Sequence, residues 1–210
     1  MPDCNCLNSS SSALVADTSV VVNLSECGFV ETVLEALPNQ LLIPETVREE
    51  LERGVERGRR QRNPVSDLRD SGLAEVVMLG AAGTKVFENL VSGAAGSTLG
   101  DGESATIASA IEFDAIALIG DRKALRICSA NYPSLVTAST VDLFSQHQVQ
   151  AGLGKKQLSN AVYNALSSGR MRVPKASLEW VVELIGAARA LRCKSLPRSF
   201  RKTLLRLEGQ

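Results

Sequence analysis

The sequence predicts an α/β fold in which a mainly parallel sheet is covered by helices on both faces, with a helical extension at the C-terminal end. Short apolar segments alternate with amphipathic helical segments between residues 13 and 145, which is the pattern of successive βαβ units. Strand patterns then stop, and two amphipathic helical patterns and a basic tail occupy residues 151–210.

Length and composition fit one globular domain with an appendage. The chain has 210 residues, of which 44% are hydrophobic and 22% charged, as in ordinary globular proteins. Lys plus Arg and Asp plus Glu number 23 each, so only local patches could attract nucleic acid. No apolar stretch approaches the roughly 20 residues that span a bilayer, and no secretory signal pattern begins the chain. We therefore expect a cytoplasmic protein with no membrane association.

The five cysteines give neither a disulfide framework nor a zinc-binding pattern. Cys4 and Cys6 lie in a Ser-rich leader, residues 1–12, which we expect to be flexible. Cys27 and Cys128 are expected in the core. The predicted organisation is this leader, an α/β domain over residues 13–150 and a helical extension with a basic tail over residues 151–210.

The first part of the α/β domain contains two predicted strand–helix units. "ALVAD" (13–17) is a short buried strand that stops at Asp17, and a helix begins at Thr18. "GFVETVLEAL" (28–37) is an amphipathic helix. "NQLLIP" (39–44) is the second strand, and Pro44 suits the first turn of the helix in "PETVREELERG".

The middle of the chain is less regular. The polar stretch over residues 55–72 is compatible with a loop or a helix, and "AEVVML" (74–79) is a further strand. Residues 80–100 contain a short helix between two glycine-rich breaks. The segment "GAAGTK" within them is not a phosphate-binding P-loop, because Thr84 and Lys85 stand in the wrong order and place.

The second half of the domain repeats the alternation. Its predicted elements are the helix "DGESATIASAIEF", the strand "AIALIG", the helix "DRKALRICSAN", the strand "PSLVTAS" and the helix "TVDLFSQHQVQAG". Right-handed crossovers would place all strand-to-helix junctions at one edge of the sheet. The extension then contains the helices "KKQLSNAVYNALSSG" and "SLEWVVELIGAARALR", separated by "RMRVPKA".

Four acidic residues fall at or near these junctions: Asp17, Glu50, Glu103 and Asp121. In open α/β sheets, ligands bind beyond the carboxyl ends of the strands. Carboxylates gathered there repel one another, and a hard cation such as Mg²⁺ relieves this repulsion. The joint placement indicates metal-assisted phosphodiester hydrolysis.

Each of these acids also has an ordinary structural interpretation. Asp17 and Asp121 can be helix caps, and Asp121 can also pair with Arg122 or Lys123. Glu50 can be a solvated helix charge, and Glu103 can be a first-turn acid favoured by the helix dipole.

The segments "LVADTSVVVNL", "LLIPETVREELERG", "LGDGESATIASAIE" and "AIALIGDRKALRIC" resemble, in order and spacing, the PIN-domain nucleases, which include the VapC-type toxins of bacterial toxin–antitoxin pairs. The resemblance covers most of residues 13–145, and the helical region beyond matches one PIN subgroup only loosely. It implies a three-layer α/β/α fold with a parallel sheet and an endoribonuclease that uses Mg²⁺ or Mn²⁺.

The resemblance also implies roles for individual residues. Asp17, Glu50, Glu103 and Asp121 would be catalytic, with Glu49 as the alternative register for Glu50. Metal ligands would be Asp17, Glu103 and Asp121, and Ser19 would hydrogen-bond a metal ligand or a substrate phosphate. Glu103 stands where the toxin branch more usually has Asp, and Gly120 stands where many relatives have another acid.

The partners implied are RNA, an antitoxin protein and a second copy of the chain in a homodimer. Arg59 and Arg60, in the basic stretch 53–62, are predicted to bind substrate phosphates. A second basic stretch, residues 198–206, also carries apolar residues and would dock on this chain or on a partner. Both stretches are equally compatible with solvated charged faces. His147, the single histidine, is expected to be a surface or packing residue.

Two other functions stay open. A non-catalytic PIN-like module would bind RNA or protein without cleaving it. A phosphotransfer enzyme or receiver would use Asp17 as the phosphate acceptor. The second alternative ranks lower, because Ser19 stands where phosphatases of the haloacid-dehalogenase type need another Asp.

Overall fold

A five-stranded, wholly parallel sheet forms the centre of the protein. The computed structural model describes residues 7, 12–58, 63–94 and 96–208, without the side chains of residues 207 and 208. The strands lie in the order β3-β2-β1-β4-β5. Their bounds are β1 Leu14–Ala16, β2 Leu41–Pro44, β3 Ala74–Val77, β4 Ile116–Leu118 and β5 Thr137–Ala138. The predicted mainly parallel sheet is therefore confirmed.

Helices connect the strands and continue beyond the last one. Those between strands are α1 Thr18–Glu26, α2 Val30–Glu35, α3 Glu45–Glu56, α4 Pro64–Asp70, α5 Ala81–Val91, α6 Asp101–Glu112 and α7 Arg122–Asn131. Those after β5 are α8 Thr140–Ser145, α9 His147–Ser167, α10 Leu178–Ile185, α11 Ala187–Arg192 and α12 Arg198–Glu208. A single 3₁₀ turn, Lys175–Ser177, precedes α10.

The sheet is covered on both faces, as the predicted three-layer fold requires. Strand side chains alternate between faces, and β1 divides its residues accordingly. Leu14 and Ala16 belong to one buried cluster, which also includes apolar residues of α1, α8 and α9. Val15 belongs to the other, together with residues of α6 and α7. All three residues are fully buried, as is typical of a central parallel strand.

The C-terminal helices share the main core. Leu158, Val162 and Leu166 of α9 lie in the same buried cluster as Leu14 of β1. The predicted domain boundary at residue 150 falls in the first part of α9, which is kinked at Gly154 (φ +66°, ψ 163°). The basic tail forms α12, whose Phe200 and Leu204 pack against this core, so the tail docks at least partly on its own chain.

Two predicted helices are interrupted. The segment 140–152 is divided at Gln146, whose backbone is extended at φ −64° and ψ 135°. The segment 177–192 is divided at Gly186, which has φ +84°. Positive φ is the region that favours glycine, and both interruptions turn the chain so that successive short helices can follow the core.

Several predictions fall on residues outside the described ranges. The leader lies there except for residues 7 and 12, and Leu7 is only 1% exposed within the main core. Cys4 and Cys6 also lie outside. Cys27 and Cys128 are buried free thiols, as predicted. Within the described ranges, no helix has both the length and the apolar character needed to cross a lipid bilayer.

Candidate active site

A pocket of about 430 Å³ opens where β1 and β4 end. The backbone N–H of Asp17 donates to the carbonyl oxygen of Leu118 (3.2 Å), which holds the two strand ends together. All four predicted catalytic acids line this pocket, and so does Ser19. The structure therefore brings together residues that are up to about a hundred positions apart in the sequence, as expected when parallel strands share one carboxyl edge.

Asp17 is both the N-cap of α1 and a wall of the pocket. Its Oδ1 accepts hydrogen bonds from the backbone N–H of Val20 (2.7 Å) and from Ser19 Oγ (2.8 Å). The N–H of Gly120 approaches Oδ2 at 3.5 Å. Only 3% of the residue is exposed. Burial raises the pKa of this carboxyl above its ordinary range, although hydrogen bonds from Val20, Ser19 and Gly120 act in the opposite direction.

Glu50 reaches the pocket from α3. Thr18 Oγ1 donates to Glu50 Oε2 at 2.7 Å, which ties α3 to the first turn of α1. A Cβ at Gly102 would meet Glu50 Oε2 and lie 3.0 Å from Thr18 Oγ1, so the absence of a side chain there leaves room for this bond. Glu49 instead lies 3.7 Å from Arg53 on the same helix. Of the two registers left open by the sequence, Glu50 is the one that lines the pocket.

Glu103 lies in the first turn of α6, where its carboxylate accepts from the backbone N–H of Gly100 (3.3 Å). Partial burial raises the pKa of Glu103, and the negative charges of Asp121, Asp17 and Glu50 raise it further. The three other acids of the pocket therefore interact electrostatically with Glu103.

Asp121 caps α7 and forms an ion pair. Its Oδ1 accepts from the backbone N–H groups of Lys123 (2.7 Å) and Ala124 (3.2 Å). Its Oδ2 lies 2.6 Å from a guanidinium nitrogen of Arg172. Partial burial acts to raise the pKa of Asp121, but the two N–H groups and Arg172 outweigh it, so the pKa is lower than usual. The capping role anticipated for Asp121 is thus observed, together with a partner from a distant segment.

The donor set is chemically suited to a hard divalent cation. Carboxylate oxygens are the ligands that Mg²⁺ prefers. A cation would offset the negative charges of Asp121, Asp17 and Glu50 that act on Glu103. Among the described residues, however, no three His, Cys, Asp or Glu side chains are grouped closely enough to hold a metal ion in this arrangement. Asp121 is meanwhile bound to Arg172. The ligand types in the pocket therefore suit a divalent cation, whereas their spacing in this structure does not form a complete metal site.

The remaining predicted residues do not contribute to the described pocket. Arg59 and Arg60 lie outside the described residues. His147 is exposed at the start of α9 and does not line the pocket. The basic side chains Arg198, Arg201 and Lys202 of α12 line a separate depression.

Sequence reasoning missed several residues that line the pocket, and Thr18, Arg170 and Arg172 are the ones with hydroxyl or cationic side chains. Thr18 is adjacent to Asp17, so the sequence alone could place it near the pocket. Its hydrogen bond to Glu50 could not be predicted from the sequence. The two arginines come from "RMRVPKA", which separates two helices. The alternation of arginine with apolar residues indicates an extended segment with one buried side, but only the fold places its other side beside Asp121.

Comparison with known proteins agrees with this architecture. A family model described as a PIN domain matches residues 13–186. No curated protein and no solved structure gives a significant match. Since the family model covers most of the chain, including the strands and the acids around the pocket, the chain belongs to the PIN-domain family.

Proposed function

We propose that this protein is a metal-dependent endoribonuclease that hydrolyses RNA phosphodiester bonds in the acidic pocket. One observation carries the proposal: Asp17, Glu50, Glu103 and Asp121 line a single pocket at the carboxyl edge of the sheet. Family membership supports nuclease activity. The substrate and the metal are inferred from the resemblance of the motifs to PIN-domain ribonucleases.

The roles proposed for the acids follow their environments. Asp17, Glu103 and Asp121 would hold Mg²⁺ or Mn²⁺, which, when bound, supplies polarisation of a phosphoryl oxygen and activation of a water molecule. Ser19 and the Val20 N–H fix Oδ1 of Asp17, so the carboxylate is oriented before substrate arrives. Thr18 orients Glu50 in the same way. Because hydrogen bonds already orient Asp17 and Glu50, the site does not have to reorganise during the reaction.

The direct test is to incubate the purified full-length protein with structured and unstructured RNAs in Mn²⁺, in Mg²⁺ and in EDTA. Cleavage is expected with a divalent cation and should stop in EDTA. Asp17→Asn should abolish cleavage, because an amide cannot supply the negative charge. The Asn side chain can still cap α1, so loss of the fold is not the expected cause. Cleavage that continues in EDTA would contradict the metal mechanism.

We further propose that the protein acts as the toxin of a toxin–antitoxin pair, as a cytoplasmic homodimer with an antitoxin protein as partner. This proposal is supported by the resemblance to VapC-type toxins. Expression of the wild-type chain should arrest growth of a bacterial host, whereas expression of Asp17→Asn at the same level should not. Equal arrest by both proteins would contradict a toxin that acts through RNA cleavage.

A non-catalytic binding module is the second candidate, because Arg172 already holds one predicted metal ligand, Asp121. The module would bind RNA without cleaving it in any of the cations tested. Under this alternative, Asp17→Asn would leave every measured RNA interaction unchanged.

A further inference from the structure

We infer that Arg172 is a substrate-binding residue, whose guanidinium exchanges the carboxylate of Asp121 for a phosphate of the RNA. The inference rests on the proposed function, since it names how the substrate of that pocket is held. Its starting point is the contact between Arg172 and Asp121 Oδ2 at 2.6 Å, formed inside the pocket by a segment that follows α9.

Buried side chains and a backbone hydrogen bond hold residues 170–174 against the core. Exposure alternates along residues 170–174, with Met171 and Val173 buried and Arg170 and Arg172 exposed. Met171 is 1% exposed within the main core, and its N–H donates to the carbonyl oxygen of Ala165 (2.8 Å). The buried residues anchor the segment, so the two arginines are presented on its outer side.

Gly169 brings the segment into direct contact with α1, the helix that Asp17 caps. A Cβ at Gly169 would lie 2.7 Å from Asn23 Oδ1, 2.7 Å from the carbonyl oxygen of Ala165 and 3.1 Å from Asn23 Cα. Two of these atoms belong to the backbone and cannot move aside cheaply. The close approach therefore requires glycine, and it sets Arg170 and Arg172 at the rim of the pocket.

Charge indicates what the arginines do there. The other charged residues lining the described pocket are all acidic: Asp17, Glu50, Asp101, Glu103 and Asp121. Without a bound cation such a surface repels a phosphodiester, and cationic side chains at its rim reduce this repulsion. Guanidinium binds phosphate through paired hydrogen bonds, and Arg170 and Arg172 are the cationic side chains that the described lining offers.

The contact to Asp121 is suited to exchange. The Arg172 side chain is 61% exposed and that of Asp121 is 26% exposed, and ion pairs with this much solvent contact contribute little stability. Replacement of the carboxylate by a phosphate therefore has a small cost. The same movement leaves Oδ2 of Asp121 free, while Oδ1 keeps its capping bonds to α7.

A second depression lies on the other side of Arg172. It has a volume of about 460 Å³, and its lining includes Arg172, Arg122 and the apolar residues Ile119, Leu125 and Pro174. Arg172 thus stands between the acidic pocket and a partly apolar hollow. This placement fits a polynucleotide whose phosphate is held at Arg172 and whose next base enters the hollow.

The test measures binding without catalysis. A fluorescently labelled single-stranded RNA is titrated with the full chain in EDTA at several salt concentrations. Arg172→Ala should raise the Kd about tenfold, as expected for one charged hydrogen-bonding contact. It should also reduce the slope of log K against log salt by about 0.7, since one phosphate contact on a single strand is lost.

Asp121→Asn should act in the opposite direction and lower the Kd several-fold, because Arg172 is then free for phosphate. Asn retains the cap of α7, so the variant should fold. In the Asp121→Asn background, Arg172→Ala should weaken binding more than it does in the wild type. Arg189→Ala is the matched control: Arg189 is also exposed and hydrogen-bonds one side chain, Asn160 (2.9 Å), outside the pocket. It should leave the Kd unchanged.

The outcomes separate the inference from the proposed function. If the wild type binds and cleaves RNA but Arg172→Ala changes neither the Kd nor the salt slope, the inference is wrong and the ribonuclease stands. If Asp121→Asn weakens binding in EDTA, the exchange is also wrong. If the wild type neither binds nor cleaves RNA, the proposed function fails and the inference fails with it. Weaker binding by Arg172→Ala together with tighter binding by Asp121→Asn supports the exchange.

Discussion

The Asp17 carboxylate is part of a helix cap and also part of the wall of the acidic pocket. Its Oδ1 caps α1 while the residue, at 3% exposure, lines the acidic pocket. Both interpretations available from the sequence are therefore compatible with the structure. A local pattern of strand, Asp and helix was enough to place the residue. Its burial depends on the neighbouring strand β4, and no local pattern indicates the approach of Gly120.

The first prediction concerns the pH dependence of stability. Burial raises the pKa of Asp17 in the folded protein, so the folded state binds a proton that the unfolded state has already released. In that pH window, which begins near the ordinary carboxyl pKa and ends at the raised one, stability falls as pH rises. Asn has no proton to release in this window, so Asp17→Asn should not lose stability in this way. In EDTA, the Tm of Asp17→Asn should therefore exceed that of the wild type at neutral pH, and the difference should shrink as the pH is lowered through the window.

Gly102 supplies a second prediction at the residue scale. Gly102→Ala would push a methyl group against Glu50 Oε2 and Thr18 Oγ1. The tip of Glu50 can move, so the fold should survive, but the bond between Thr18 and Glu50 should be lost. We expect the rate of RNA cleavage to fall by about tenfold or more, since displacements near 1 Å in a site have effects of this order. An unchanged rate with a normal Tm would show that the position of Glu50 is not needed.

At the scale of elements, the strands were easier to predict than the breaks between helices. β1, β2 and β4 are short apolar runs ended by Asp, Pro or Gly, and each forms within the predicted segment. The helical pattern of residues 177–192 continues across Gly186 without a change of period. Its interruption depends on a single residue with φ +84°, a conformation that glycine permits and does not require. Hydrophobic periodicity therefore gave one helix where the structure has α10 and α11.

Replacement of two glycines by alanine should change the free energy of unfolding in opposite directions, because their backbone conformations differ. Both Gly186 and Gly54 have open space where a Cβ would be placed, but Gly54 lies inside α3 with ordinary helical backbone. Gly186→Ala should lower the free energy of unfolding by about 1 kcal/mol, because alanine is strained at positive φ. Gly54→Ala should raise it by about 0.5–1 kcal/mol through helix propensity. Urea unfolding followed by circular dichroism measures both, and destabilisation of equal size would contradict the backbone explanation.

At the scale of the whole molecule, the C-terminal helices complete the core, and the segment that follows α9 completes the pocket. The order of strands and helices allowed the sheet, its covering layers and the gathering of four acids to be predicted. The sequence directed attention to the basic stretches, whereas Arg170 and Arg172 follow α9 and reach the pocket through tertiary packing. Such contacts depend on close approaches like that of Gly169 to α1, which leave no periodic signal in a sequence.

A truncated chain tests whether the α/β domain can fold without the C-terminal helices. A protein ending at residue 150 would lack Leu158, Val162 and Leu166, which are at most 3% exposed within the main core. Loss of these three side chains alone costs about as much as the typical stability of a domain, since each large apolar residue contributes about 2–5 kcal/mol. We expect this fragment to be insoluble or to lack a cooperative thermal transition. A cooperative transition near the Tm of the full chain would instead support an independent domain over residues 13–150.

The divalent-cation site proposed for the acidic pocket can be tested by measuring Mn²⁺ binding. Isothermal titration of the full chain with Mn²⁺, without RNA, should give saturable binding that Asp17→Asn abolishes and that the control Arg189→Ala leaves intact. Arg172→Ala should strengthen the binding, because Asp121 then loses its competing cation. Absence of saturable binding, or equal binding by the wild type and Asp17→Asn, would contradict the account.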